Sequence, residues 1–554
     1  MSIPDQSQKD NLLFIPLGGA NEIGMNINIY HLDGKYLIVD CGSGFADTHL
    51  PGVDMVVPNI EFIRKHRQNI LGIILTHAHE DHLGAVQHLW PKLQCPIYTT
   101  EFTANFLKIK LGEFNFAGQV PIHCMEPGKR FHLGPFDIEM SPLTHSAPEM
   151  QALMIRTRVG NIMHTGDWKF DPDPLIGNPA DEELLKSYGD EGILALVCDS
   201  TNAMSPGESG SEGSLRESLV KIISQCPKMV VVTTFASNLA RIDTLIHAAK
   251  LSNRKVVLSG KSLHRMVQAA QDSGYLEEAS FISDKDIKLH PREQILIIAT
   301  GCQGEPLASV SKMANKSHPT INLSKDDTII FSSKIIPGND KRIFRLFNIF
   351  VQQGIEVITE KDHFVHVSGH PCVEELKRMY ELIRPNVAIP VHGEPVHIHE
   401  HAKLARSLGI KHALEVRNGS VVNLQHNESA IIDNVHSGYL AVDGKRLIDE
   451  NAEIFRDRLR MKDAGVVVVT LMLDKNWDLA LNPVVNFPGV LSYHTDKDLV
   501  GNLKSTMHKA ITVFLSTETP SNASIEKLVV SHVHKFCKNY LGKRPPVIIN
   551  IEKC

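Results

Sequence analysis

Residues 76–84 read THAHEDHLG and place His77, His79, Asp81 and His82 within six positions. Imidazole nitrogens and carboxylates so spaced are the donors that zinc and related divalent ions take. The apolar, isoleucine-rich run Ile70 to Leu75 predicts a buried strand leading into them. Alanine, leucine and valine then recur near helical spacing, so Asp81 and His82 are expected where a helix begins. Alternate residues of an extended loop point the same way. His77 and His79 are therefore placed to chelate one ion, and Asp81 and His82 to turn toward a second. The alternative is a solvated turn with incidental histidines. With 29 His in 554 residues, chance is the poorer explanation of the cluster.

More candidates follow short apolar runs. His145 lies just past the strand-like stretch 136–143, in LTHSAPE, and Asp167 follows NIMHTG. A histidine past one strand is by itself more often structural than a ligand. His145 and Asp167 gain weight because the right residue types recur at strand ends. Asp199 closes the apolar stretch 193–198, and His392 follows another in AIPVHGE. Between these, HFVHVSGH supplies His366, Ser368 and His370. Asp40, at the end of a third strand, either ligates or only hydrogen-bonds nearby loops. His397, His399 and His401 read as surface residues of a helix. Ser237 and Asn238 stand at an expected helix N-terminus, as an N-cap pair or an anion site. Arg254, Lys255, Lys261 and Arg265, with no acid among them, form a modest basic patch or a solvated face.

Composition narrows the classes. A content of 42% hydrophobic and 22% charged residues is ordinary for a soluble globular chain. The net charge of −6 does not announce a nucleic-acid binder, although a local patch and bound cations can carry a polyanion. No apolar run approaches the roughly 20 residues of a membrane span, so no membrane association is expected. No charged n-region precedes an apolar core at the N-terminus, so no secretory signal is expected. Nine scattered cysteines without a CxxC pair suit a reducing compartment. The expected location is cytoplasmic.

The elements that position these residues are strands in close succession followed by helices, which suggests a sheet covered by helices. The Gly/Ser-rich stretch SPGESGSEGS (205–214) marks a boundary. Strands and helices then alternate to about residue 366, as in an inserted α/β unit with a mainly parallel sheet. Tight turns are expected at Gly301–Glu305 and at Pro337-Gly338-Asn339. Residues 438–449 read as a connection, and a last unit follows from about 451.

The motifs GGANEIGMN, THAHEDHLGA, DSTNA, TFASN, GCQGEP, IPGN, HVSGH and PVHGE occur in this order. HxHxDH with His145, Asp167 and His392 resembles the metallo-β-lactamase superfamily. Asp199, His370 and His392 match the further motifs of its β-CASP nucleases. The whole series is similar to the ribonuclease J family, from about residue 12 onward. The resemblance implies an α/β chain: a metallo-β-lactamase αββα sandwich in two parts, residues 1–207 and 367–450, the second with a linker. A β-CASP α/β domain at 208–366 and a small C-terminal α/β domain at 451–554 complete it. It implies two divalent ions, zinc before Mn²⁺ or Mg²⁺. His77, His79 and His145 would hold one, Asp81, His82 and His392 the other, with Asp167 bridging. Asp81, Asp199 and His370 are the expected catalytic set. Ser237, Asn238, His366, Ser368 and His370 are the expected RNA-phosphate contacts.

The expected function is 5′→3′ exonuclease action on 5′-monophosphorylated single-stranded RNA, with endonuclease action, in RNA maturation and decay. A homodimer or homotetramer is expected, and protein partners of RNA decay or the ribosome are open. Alternatives are a β-CASP DNA-repair or tRNA-processing nuclease, a non-catalytic RNA-binding subunit, and a small-molecule hydrolase, which has no need of the insertion. Two small departures stand out. Gly260-Lys261-Ser262-Leu263 replaces the more usual Gly-Arg-Ser-Met, which loses a planar guanidinium fork, and Cys302 replaces a serine.

Overall fold

The structure is a computed structural model that describes residues 11–336 and 338–554. The polar start at residues 1–10, and Pro337 of the expected turn, lie outside the described residues. The chain divides into two compact units, Met1–Gly44 with Val57–Tyr439, and Phe45–Val56 with Leu440–Cys554.

The larger unit holds two sheets that share one apolar core. In the first, eight strands run in the order Ala430–Asn434, Ser420–Leu424, Leu12–Gly18, Ile27–Leu32, Lys35–Val39, Ile70–Ile74, Ile97–Thr99, Ile122–Cys124. In the second, seven run in the order His412–Ala413, Val387–Val391, Ile193–Asp199, Asn161–His164, Gln151–Arg156, Phe136–Pro142, Arg130–Leu133. The two-residue period of a strand decides which side chains meet. Phe136, Ile138, Met140, Leu153 and Ile155 pack with Phe14, Leu37 and Val39 between the sheets. Their alternates Ala152 and Met154 face the other way, onto Leu185, Tyr188, Met379, Tyr380 and Ala402. Those residues belong to the helices Glu182–Glu191, Val373–Ile383 and Pro395–Ser407. A sheet buried on both faces needs apolar residues at consecutive positions, which is why ILALVC and VAIPV show no alternation.

Inserted in this unit is a five-stranded parallel sheet, ordered Lys255–Ser259, Ile295–Ala299, Val230–Thr233, Thr328–Phe331, Glu356–Ile358. Val231, Ile297 and Ile329 pack with Val310, Ile343, Leu346 and Phe350 from its helices. Of the four residues open between a basic patch and a solvated face, Lys255 is exposed. Arg254 is buried and donates to the Lys228 and Cys226 carbonyls at 2.6 Å each, while Lys261 and Arg265 both engage Glu113.

In the smaller unit Val467–Leu473 lies between Val484–Asn486 and Val547–Lys553. Val467, Val469, Leu471 and Leu473 pack with residues of the helices Lys497–Thr517 and Asn522–Leu541. Residues expected as a connection form instead a hairpin, Tyr439–Asp443 with Arg446–Asp449, turning at Gly444 with φ +62°. The strands Arg130–Leu133 and Gln151–Arg156 were not expected. They are held by their neighbours in the sheet rather than by β-branched composition of their own.

One buried carboxylate ties the loops around the insertion. Glu375 accepts from the backbone N–H of Phe170 at 2.9 Å and of Ser209 and Cys372 at 2.8 Å each. It also accepts from the Ser209 hydroxyl at 2.8 Å. Glu375→Ala is expected to leave three amides unpaired and to destabilise this unit by at least roughly 3 kcal/mol, at ~1–3 per buried unsatisfied group. A thermal melt coincident with that of the wild-type chain would refute this role.

Candidate metal centre

The candidate residues meet at one end of the two facing sheets. Ile70–Ile74 delivers Thr76 to His82, and Lys35–Val39 delivers Asp40. Phe136–Pro142 delivers His145, Asn161–His164 delivers Asp167, Ile193–Asp199 ends in Asp199, and Val387–Val391 delivers His392. Donor atoms of His77, His79, His145 and Asp167 lie within 4.8 Å of one another, as do those of Asp81, His82, Asp167 and His392. Asp167 belongs to both groups. A third group, Asp167, Asp199, His370 and His392, overlaps the second. The short helix Glu80–Leu83 begins between His79 and Asp81, so the backbone turns there and brings His82 back against His77, their ring centroids 4.2 Å apart.

The histidines are oriented by groups outside the ligand sets. Asp40 accepts from the Thr76 backbone N–H at 2.8 Å, from the Thr76 hydroxyl at 3.0 Å and from His82 Nδ1 at 2.7 Å. The Thr76 oxygen in turn lies 3.0 Å from His77 Nδ1. One buried carboxylate thus turns the Nε2 atoms of both His77 and His82 into the site. Such outer partners fix tautomer and ring orientation. His145 Nδ1 donates to the Gly369 carbonyl at 2.5 Å. His392 Nδ1 lies 2.8 Å from the Thr201 hydroxyl, which donates to Asp199 at 2.7 Å, and His392 Nε2 lies 3.1 Å from Asp81 Oδ2. Asp199 also accepts from His370 Nδ1 at 2.7 Å.

Asp40 and His392 both adopt left-handed backbone, φ +65° and +53°. Non-glycine residues held there cluster at functional sites. Gly42 has a different constraint. A Cβ on it would overlap the Asp81 carbonyl group, so only glycine allows the two loops to meet.

The electrostatics fit cations. Both carboxylate oxygens of Asp167, and Nε2 of His77, are buried without a hydrogen-bond partner. Asp167 Oδ2 stands 3.1 Å from His82 Nε2 and 3.9 Å from the Nε2 atoms of His77 and His145. Burial and the surrounding imidazoles keep His77 and His145 well below the ordinary histidine pKa, and His79 is pushed down to about 4. These rings are neutral lone-pair donors. Burial also opposes ionisation of Asp81, Asp167 and Asp199, yet His82, His392 and His370 outweigh it and hold all three carboxyls below the usual range. Buried anions facing neutral imidazole nitrogens are a ligand set for divalent metal.

The remaining expected residues lie nearby or in the insertion. Asn202 donates to Ser368 Oγ at 2.8 Å and to the His370 carbonyl at 3.0 Å. His366 has a buried Nδ1 without a hydrogen-bond partner. Asn238 caps the helix Leu239–Leu251, its side chain accepting from the Arg241 N–H at 2.9 Å. Ser237 precedes it and is half-buried. His401, expected at the surface, is instead buried between Ser200 at 2.9 Å and Tyr380 at 3.0 Å. Sequence reasoning gave no role to Asn26, whose Nδ2 lies 3.1 Å from His82 Nε2. Its place in GGANEIGMN was the available signal.

Four family models match the chain: "Beta-lactamase superfamily domain" over 36–185, "Ribonuclease J, beta-CASP domain" over 227–350, "Zn-dependent metallo-hydrolase RNA specificity domain" over 354–414 and "Ribonuclease J C-terminal domain" over 453–553. A protein of Sinorhizobium meliloti named Ribonuclease J is 38% identical over 99% of this chain and 98% of its own length. The chain belongs to the ribonuclease J family. A Thermus thermophilus Ribonuclease J is 33% identical over 98% of this chain and 96% of its own, and Bacillus subtilis Ribonuclease J2 is 30% identical over 97% and 98%. A crystal structure of a protein of unknown function from Enterococcus faecalis covers 75% of this chain and 100% of its own with a TM-score of 0.52. At 18% identity that likeness shows the fold alone. As a member of the ribonuclease J family, the chain is a metal-dependent ribonuclease with a metallo-β-lactamase domain, a β-CASP domain and a C-terminal domain. No described helix is long and apolar enough to cross a membrane.

Asp40→Asn preserves shape but removes the charge that orients His82. It is expected to lower metal affinity and activity about 10–100-fold, as loss of an outer-shell partner does. Gly42→Ala is expected to lower both further by displacing Asp81. Metal titration followed by elemental analysis tests both variants, and wild-type metal content with wild-type rates would contradict these roles.

Proposed function

We propose that this ribonuclease degrades RNA from a 5′-monophosphate end in the 5′→3′ direction and also cleaves internally, using two divalent ions, zinc in preference to Mn²⁺ or Mg²⁺. The observation that carries this reading is the pair of donor clusters sharing Asp167, with His370 held beside them by Asp199. In it His77, His79 and His145 would hold one ion and Asp81, His82 and His392 the other, with Asp167 available to both. Divalent ions held there would supply Lewis-acid charge for the scissile phosphate and acidify the attacking water. The imidazole-rich shell favours zinc.

The chain's own residues do the rest. Asp199 fixes the His370 ring by its Nδ1–H and leaves Nε2 for substrate. Burial disfavours the His370 cation, but the Asp199 charge outweighs it and raises the pKa above the ordinary histidine value. His370 is thus poised to protonate the leaving 3′-oxygen. Asp81, whose Oδ2 lies 3.1 Å from His392 Nε2, would serve the reaction as a ligand beside His392. Removing one nucleotide at a time requires a fixed distance between the terminus and the ions. Ser237, Asn238, His366, Ser368 and His370 form that terminal pocket in this reading. Hydroxyls and helix N-terminal amides favour a compact dianion, a triphosphate overfills such a pocket, and a 5′-hydroxyl leaves its donors unpaired.

Residues 1–207 and 367–450 serve as the catalytic sandwich and linker, 208–366 as the RNA-facing insertion, and 451–554 as the unit that joins copies into dimers or tetramers. Nine free cysteines support a cytoplasmic location.

End-labelled RNAs carrying 5′-monophosphate, 5′-triphosphate or 5′-hydroxyl test the reading. The monophosphate is expected to be preferred about tenfold to a hundredfold, at about 1.4 kcal/mol per tenfold. Fully loaded protein is expected to contain two ions per chain. Chelation and Asp81→Ala should each abolish hydrolysis, and His370→Ala should lower exonuclease and internal cleavage together by about 10²–10⁴-fold. One ion per chain with an active Asp81→Ala variant would sink the two-ion mechanism, and equal rates on all three termini would sink the terminal pocket.

A further inference from the structure

Arg241 has no part in the chemistry above, yet it is one of the most completely buried charged side chains described. It is 0% exposed in the first turn of the helix Leu239–Leu251. Its guanidinium donates to Glu212 through Nε at 3.2 Å and Nη2 at 2.9 Å. Nη1 donates to the Ser332 hydroxyl at 2.6 Å, to the Ser332 carbonyl at 3.0 Å and to the Val365 carbonyl at 3.3 Å. The Ser332 hydroxyl donates onward to the same Val365 carbonyl at 2.7 Å. Two donors thus converge on the peptide group that joins Val365 to His366.

The other side of the network reaches the metal loop. The Glu212 N–H donates to Asp171 at 3.0 Å, Asp171 pairs with the buried Lys169 at 2.8 Å, and Lys169 Nζ donates to the Gly210 carbonyl at 2.9 Å. Lys169 also pairs its backbone with Thr144, the neighbour of His145. A continuous buried path therefore leads from residues flanking His145 and Asp167 to the backbone of His366.

The segment His366–His370 has two separate anchors. Its far end is tied to the catalytic sandwich, because Asn202 holds Ser368 and His370 and Asp199 holds the His370 ring. Its near end is held by hydrogen bonds through the Val365 carbonyl, from Arg241 and Ser332. His366 Nδ1 is buried without a partner, and Arg241, Lys334 and Lys169 place positive charge around it. An anionic end group would meet both the unpaired nitrogen and that field.

We infer that Arg241, braced by Glu212 and acting with Ser332 through the Val365 carbonyl, is a positioning residue that sets His366 for reading the RNA 5′ end, separately from the anchor that sets His370 for bond cleavage. The inference rests on the terminal-pocket reading. It requires that end preference and internal cleavage come apart when this anchor is weakened. A residue that only held the fold would lower both together.

Ser332→Ala removes one of the two donors to Val365 without stranding a charge, and Arg241→Lys keeps the charge but loses the fork. The assay compares kcat/KM on 5′-monophosphate and 5′-hydroxyl linear RNA, with cleavage of a circular RNA as the internal control. Ser332→Ala is expected to lower the monophosphate preference about threefold and Arg241→Lys about tenfold, chiefly through KM, as losses of one and of several hydrogen bonds. Circular-RNA cleavage and the thermal melt of Ser332→Ala should stay at wild-type values. If Arg241→Lys fails to fold, Ser332→Ala alone decides. An unchanged preference in folded Ser332→Ala, or an equal loss on circular RNA, overturns the inference. His366→Ala in the same assay separates the two failures. If it abolishes the preference while Ser332→Ala and Arg241→Lys retain it, the pocket stands and the positioning role falls. If it too retains the preference, the pocket reading itself is wrong.

Discussion

Asp167 sits at one end of the sandwich with both carboxylate oxygens buried, unpaired by hydrogen bonds and ringed by imidazoles. A buried carboxylate is costly unless cations compensate it. The rest of this end of the molecule answers that requirement. Burial keeps His77, His79 and His145 neutral on one side. On the other, His82 and His392 stand among carboxylates that raise their affinity for positive charge. The asymmetry is set by the neighbours. Asp40 and Asp199 supply negative charge behind His82 and His392, whereas the partner behind His145 is a neutral carbonyl.

That arrangement exists because two sheets end at the same level. The ligands come from the ends of four strands, one of which supplies His77, His79, Asp81 and His82, and the strands are pinned by a core with apolar residues on both faces of the seven-stranded sheet. Tilting one sheet would separate the ligand sets. The contact of Gly42 with the Asp81 backbone, and the left-handed backbone of Asp40 and His392, show how little slack remains where the loops converge. The insertion is held by buried carboxylates. Glu375, Asp171 and Glu212 gather backbone amides and cations from the loops that enter and leave it. Each is strongly coupled to its partners, so a change at one is felt at the others.

The ligand types and their strand-end placement were legible from the chain because local patterns carry them. HxHxDH fixes four donors in one loop, and the apolar run before it fixes the strand. The order of eight motifs indicated the family, and the alternation of strands and helices after the Gly/Ser-rich stretch indicated an inserted α/β unit. The large apolar strands were legible for the same local reason. The edge strand Arg130–Leu133 was not, because it is only four residues long and half-exposed, although its partner Phe136–Pro142 follows it directly in a tight hairpin. The hairpin at 439–449 was missed because its residues carry no strong alternation.

What only the tertiary structure decided is what each polar side chain faces. His401 looks like a surface histidine by its position in a polar helix, yet Ser200 and Tyr380 enclose it. Arg254 looks like part of a basic patch, yet backbone carbonyls consume it, and Arg241 is taken up by Glu212, Ser332 and Val365. Asp40 was open between a ligand and a loop contact, and the fold makes it the carboxylate behind His82. Residue type and spacing determine which atoms can bind a metal or a phosphate. Whether an atom is free to do so depends on partners brought together from hundreds of residues away, because a buried polar group takes the hydrogen bond that packing presents.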